Sequence, residues 1–234
     1  MSEDRDARSD SVADQITVSP VRAALRARSL EIVFGTGLCL YAVLAALAYR
    51  YAYFSWDLSL ARLIQSINIP GFDTLMALTS APGNGWTAWG LVSVTSITLA
   101  LMSLRLEGAI CLASASLGAL IDRLMKAVVA RPRPGEAVVQ VLGDFKHESF
   151  PSGHVFFYVS FFGFLFFLAF ALLKPRPLRR ILLTLLAAPV VLIGLSRIYL
   201  GAHWPSDVIG AYLSGGVWLI IMIELYRRLK ARPV

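Results

Sequence analysis

Near the C-terminal end, the stretch Ser196-Arg-Ile-Tyr-Leu-Gly-Ala-His203-Trp-Pro-Ser-Asp207 brings an arginine, a histidine and an aspartate to the junction of two apolar runs. Hydrocarbon excludes such groups unless something requires them. The spacing of His203 and Asp207 lets a carboxylate take the proton-bearing nitrogen of an imidazole. That pairing fixes the tautomer and leaves the second nitrogen free to attack an electrophile. Arg197 is expected to face that second nitrogen and to hold an anion there.

Two earlier blocks extend the chemistry. One is Lys126-Ala-Val-Val-Ala-Arg-Pro-Arg133-Pro134, and the other is Pro151-Ser152-Gly153-His154. Lys126, Arg133 and Arg197 give three cations, two of them guanidinium forks that match phosphate oxygens. Ser152 and Gly153 fall where a helix begins, so unpaired N–H groups and the positive end of its dipole point at an anion. The chain has three histidines and these blocks hold two of them. His203, oriented by Asp207, can attack phosphorus and form a phosphohistidine. His154 can protonate the leaving alkoxide and then activate water. The cations neutralise charge on the equatorial oxygens, the main demand of phosphoryl transfer. Glu136, Asp144 and Glu148 match no metal-ligand spacing, so the expected reaction uses no metal and no cofactor.

These residues need a scaffold, and composition says which kind. Of the 234 residues, 57% are hydrophobic and 16% charged, beyond the usual range of a soluble globule. Net charge is +7, but the cations cluster beside apolar runs and form no basic stripe. That pattern fits membrane orientation and anionic head groups, and it excludes nucleic acid as the expected partner. Cys39 and Cys111 each lie in an apolar run and are expected to be buried packing residues. The predicted fold is all-α, an integral membrane bundle of six transmembrane helices near 30–53, 84–104, 108–129, 153–173, 181–201 and 207–226. Short interfacial helices are expected in 54–83 between the first two spans, a plain loop being the alternative.

Residues 1–28 read as a disordered, basic cytoplasmic tail, 29–228 as the membrane domain and 229–234 as a cytoplasmic end. No cleavable signal peptide is expected, because the first apolar run is too long for one. Lysine and arginine concentrate before the first span, at Arg105, over 174–180 and over 227–230. Both termini are therefore predicted to be cytoplasmic, and all three reactive blocks then emerge on the outer face of the cytoplasmic membrane.

Taken together, the blocks K-x6-R-P, P-S-G-H and S-R-x5-H-x3-D resemble the signature of type 2 phosphatidic acid phosphatases, the lipid phosphate phosphatases. The match runs through Lys126, Arg133, Pro134, Pro151, Ser152, Gly153, His154, Ser196, Arg197, His203 and Asp207. The resemblance implies a nucleophile at His203, its partner at Asp207, an acid at His154 and phosphate contacts from the rest. A lipid phosphate is the implied substrate: phosphatidic acid, phosphatidylglycerol phosphate, a lipid A phosphate or, favoured by the outer face and small size, a polyprenyl diphosphate. A phosphotransferase using the same histidine is one alternative; a non-catalytic protein that binds anionic lipid through a degenerate pocket is another, and the intact pair of histidines weighs against it.

Several residues stay outside this set. Asp122 either pairs with Lys126 one turn on or neutralises another charge in the bundle. Arg131 is expected to be an exposed loop cation or a head-group contact, and His147 a solvated loop residue. The phenylalanines of 156–170 read as lipid-facing and core bulk, with a groove for a lipid chain as the sharper alternative.

Overall fold

The computed structural model describes residues 20–231, with side chains from residue 28. Residues 1–36 form one unit, of which the described part is the start of the first helix; residues 37–234 form the second. The tail expected over 1–28 therefore lies mostly outside the described residues, although the backbone is already helical from Pro20.

Among the described residues there are eight α-helices and no strand. They are α1 (Pro20–Arg50), α2 (Ser55–Gln65), α3 (Phe72–Ser80), α4 (Gly85–Leu101), α5 (Arg105–Val129), α6 (Gly153–Leu172), α7 (Pro177–Tyr199) and α8 (Pro205–Lys230). Five of them, α1 from Arg28, α5, α6, α7 and α8, are long and apolar enough to cross a bilayer. The expected span at 84–104 corresponds to α4, which has 17 residues. That is about 26 Å of helix against a hydrocarbon core of roughly 30 Å.

Helix ends follow local chemistry. Pro177 and Pro205 open α7 and α8, where a missing N–H costs nothing. After α5, Ala130 takes a left-handed conformation at φ 49°, and the Arg-Pro-Arg-Pro run that follows cannot continue a helix. The uncharged α6 packs against α5, α7 and α8. Its Phe156, Phe161 and Phe164 are buried, whereas Phe166 and Phe170 point outward, so the phenylalanine stretch divides between core and rim. At the far end of the bundle, buried Glu107 accepts from Tyr226 Oη and Lys230 Nζ, each at 2.8 Å, tying the start of α5 to the end of α8.

Residues 54–83 fold as the two short helices, not as a plain loop. One face of α2 is taken up by protein: Asp57 and Ala61 are buried. Gln65 Nε2 donates to the carbonyls of Gln140 at 2.7 Å and Tyr199 at 2.9 Å, which fastens α2 to the 130–152 connection. Cys111 is buried as expected, whereas Cys39 is exposed on α1. An exposed thiol is consistent with an apolar helix face turned toward lipid.

Candidate active site

Where α5 and α7 end and α6 and α8 begin, the three blocks meet around a cavity of about 860 Å³. Lys126, Arg133, Gly153, His154 and His203 line it. So do the apolar side chains of Trp89, Val92, Ala119, Phe156 and Phe157, from α4, α5 and α6. Ser152, Arg197 and Asp207 stand behind this lining.

His203 occupies the turn between α7 and α8 and is 2% exposed. Gly201 makes that turn possible, with φ at +69° and the Gln140 carbonyl so close that any Cβ would overlap it. The direct partner of His203 Nδ1 is the backbone carbonyl of Ser149, at 2.8 Å. Asp207 Oδ2 is 3.8 Å from Nδ1, so the expected direct hydrogen bond to the aspartate is absent. Asp207 sits at the third position of α8, where its Oδ2 caps the helix by accepting from the Trp204 N–H at 2.9 Å. The same oxygen accepts from Ser149 Oγ at 2.5 Å. Asp207 thus reaches the imidazole through Ser149. The consequence for the ring is the one expected: a carbonyl acceptor requires Nδ1–H and leaves the lone pair on Nε2.

The arginine facing Nε2 is Arg133, not Arg197. Its Nη1 stands 3.2 Å from Nε2 and donates to the Ala202 carbonyl at 2.6 Å, while its Nε donates to the His147 carbonyl at 2.9 Å. Burial, and then the charges of Arg133, Arg197 and Lys126, hold the His203 imidazole well below its ordinary pKa of 6.5. It is therefore neutral, with the Nε2 lone pair available. Arg197 comes from further down α7, where its Nη1 donates to Ser80 Oγ at 2.6 Å. Its Nε and the Ser152 hydroxyl are buried with no hydrogen-bond partner among the described residues, the state of donors that an anion could satisfy. The Phe145 ring lies 5.0 Å from the Arg197 guanidinium and 5.9 Å from that of Arg133, a cation–π contact to each.

Lys126 and Asp122 form an ion pair at 2.5 Å, which decides between the two readings of Asp122. Gly153 lets the backbone come close to this pair: a Cβ there would stand 2.8 Å from Asp122 Oδ2 and 3.0 Å from Lys126 Nζ and would displace the pair's side-chain ends. Ser152 is the N-cap of α6, but its own N–H is already taken by the Asp207 carbonyl at 3.3 Å. On the opposite wall, His154 Nε2 is 2.9 Å from Asn84 Oδ1. Asn84 escaped the sequence reading because Pro-Gly-Asn-Gly reads as a turn.

Arg131 overturns its expectation. It is 1% exposed, and its Nη1 donates to Asp207 Oδ1 at 2.5 Å and to Ser206 Oγ at 2.7 Å. Its Nη2 donates to Asp57 Oδ2 at 3.0 Å. Nothing local marks this role; the one available signal was an arginine inside a proline-stiffened run directly after an apolar helix. His147 is exposed, yet its backbone carbonyl fixes Arg133. Chemically, the cavity presents Lys126 and Arg133, the neutral His203 imidazole with its Nε2 lone pair free of a proton, and the His154 imidazole. That set can bind a tetrahedral anion and attack it.

A model of the PAP2 superfamily matches residues 85–231. The lipid A 1-phosphatase of Rhizobium etli is 33% identical over 116 residues, which is 47% of this chain and 46% of that protein. The chain thus spans under half the length of that relative. Phosphatidylglycerophosphatase B of Bacillus subtilis is 24% identical over 188 residues, covering 79% of this chain and 89% of that one. The crystal structure of the transmembrane PAP2-type phosphatidylglycerolphosphate phosphatase from Bacillus subtilis superposes with a TM-score of 0.75 at 21% identity. It covers 86% of this chain and 98% of its own, a likeness of fold.

Proposed function

The chain belongs to the PAP2 superfamily, and on that premise we propose that it is a membrane phosphatase that hydrolyses a phosphate on a lipid head group through a phosphohistidine. The observation that carries this reading is the approach of His203 Nε2 and Arg133 Nη1, at 3.2 Å, in a cavity shared with Lys126 and His154. Phosphate oxygens bind to Lys126, Arg133, Arg197, the Ser152 hydroxyl and the free N–H groups at the start of α6. Nε2 attacks phosphorus; the N–P bond forms as the bond from phosphorus to the lipid oxygen breaks. His154 gives its proton to that oxygen, then takes one from water, which attacks phosphorus and breaks the N–P bond. Inorganic phosphate and a lipid alcohol leave. Three cations supply the charge stabilisation that a metal supplies elsewhere, and they repel a metal ion from the site, so the proposed reaction is metal-independent.

The apolar lining from α4, α5 and α6 suits the chain of a lipid whose phosphate lies among the cations. Six crossings follow if α4, lengthened by the turn at Ala81–Gly83, counts as the short one. Arg105, the 174–180 connection and Arg227, Arg228 and Lys230 then share the end opposite the site. This supports cytoplasmic termini, an extracytoplasmic site in the cytoplasmic membrane, and α2 and α3 at the outer surface. The relatives' substrates favour phosphatidylglycerol phosphate or a lipid A 1-phosphate over a polyprenyl diphosphate. Phosphate release from all four lipid classes in detergent, with and without chelator, tests the proposal. His203→Ala and His154→Asn serve as controls. Loss of turnover on chelation, restored by magnesium, would refute the metal-free step.

A further inference from the structure

We infer that Asp57 is a positioning residue for the reaction, acting through Arg131, Asp207 and Ser149 to keep His203 in its attacking form. Asp57 and Asp207 hold equivalent posts. Each is the third residue of its helix, α2 or α8, and each caps that helix by accepting from the backbone N–H at the N-cap, Phe54 at 3.0 Å and Trp204 at 2.9 Å. The two helix starts meet, and Arg131 is fixed between them with both side-chain carboxylates fully buried.

The remaining contacts leave little freedom. Asp57 Oδ1 accepts from the Ser206 N–H at 2.8 Å and Oδ2 from Ser206 Oγ at 2.7 Å, which pins the first turn of α8 to α2. Arg131 Nε donates to the Tyr51 and Ala52 carbonyls at 3.2 and 3.1 Å. Around both carboxylates every neighbour presents an N–H or O–H, the surroundings of ionised acceptors.

Charge gives the arrangement its consequence. Arg131 by itself would cancel Asp207, and the aspartate of the third block would bring no net charge to the histidine. With Asp57 present, two carboxylates face one guanidinium, and one negative charge remains on the Nδ1 side of His203. That excess favours the Nδ1–H tautomer and opposes the cost of the positive imidazole ring that develops as Nε2 bonds to phosphorus. The inference rests on His203 as nucleophile, so its test carries a readout that needs no turnover.

The experiment uses the full-length protein in detergent with ¹⁵N-labelled histidine; the three ring systems are assigned with His147→Asn and His154→Asn. Asp57→Asn should lower kcat by about 10- to 100-fold and change KM by less than about threefold. It should also move the His203 ring from the Nδ1–H form toward Nε2–H. Asp73→Asn, an exposed acid of α3, should alter neither. An Asp57→Asn protein with the wild-type ring spectrum overturns the inference, whatever its activity. If Asn at 57 prevents folding, Asp57→Glu decides. A Glu variant that keeps the Nδ1–H form supports the role, and one that folds but loses that form removes it. Should wild type turn over no lipid phosphate, the functional reading fails while the ring spectrum still decides this one.

Discussion

The two histidines of the site live in opposite surroundings. His203 is almost sealed from solvent, its Nδ1 held by a backbone carbonyl and its turn backed by a network in which Asp57, Arg131 and Asp207 are fully buried. His154 is half-buried, with a ring hydrogen bond to Asn84, and borders the open cavity. The difference fits the roles proposed for the two residues. A nucleophile needs one tautomer and one approach line, whatever lipid carries the phosphate, and a dry, fully bonded setting supplies both. An acid that later serves as a base must meet a leaving oxygen and then a water, and it needs access.

The comparison breaks most easily at the nucleophile. His203→Ala should lower kcat by about a thousandfold or more while the protein still folds, checked by circular dichroism beside phosphate release. His154→Asn should lower kcat by roughly 100-fold on a lipid phosphate, and by far less on a nitrophenyl phosphate, whose leaving group needs no proton. Equal losses on both substrates would erase the proposed division between acid and nucleophile.

Stability should separate the two sides as well. Arg131→Met leaves two buried carboxylates without their shared cation and should cost about 3–5 kcal/mol, seen as a large fall in unfolding temperature. Asn84→Ala, on the open side, should leave the unfolding temperature within a few degrees and reduce kcat only about threefold to tenfold. Acidity sharpens the contrast further. The His203 imidazole is held below 6.5, so the acidic limb of kcat/KM, corrected for substrate ionisation, should fall below that value. The sign is fixed: protonation removes the attacking lone pair, and a lowered pKa delays that loss to more acid solution. A limb at or above 6.5 would mean that His203 is not the titrating group.

Much of the wall that faces the cavity was legible in the sequence, because its residues are chemically expensive there. Lys126, Arg133, His154 and His203 are polar groups at the ends of apolar runs, and only function justifies such placements. The backing of the site was not legible. Arg131 read as an exposed cation because its partners are 74 and 76 residues away, at Asp57 and Asp207. Asp57 carries no local mark of its role in a segment expected at the membrane surface. Ser149 acts as much through its carbonyl as through its side chain, and a carbonyl leaves no mark in a sequence.

The sequence by itself determined that the chain is helical and apolar, that its polar blocks fall at matching helix ends, and that Lys126, Arg133, Gly153, His154 and His203 belong together, as their shared cavity shows. Length, periodicity and the cost of charge in hydrocarbon are local properties, so they can be read along the chain. Which arginine faces Nε2, what holds Nδ1 and where the excess negative charge comes from were decided by the tertiary structure alone. Those are matters of ångströms between elements far apart in sequence. A change of 1 Å at Nδ1 exchanges a direct carboxylate partner for a backbone carbonyl, and no spacing rule resolves that distance.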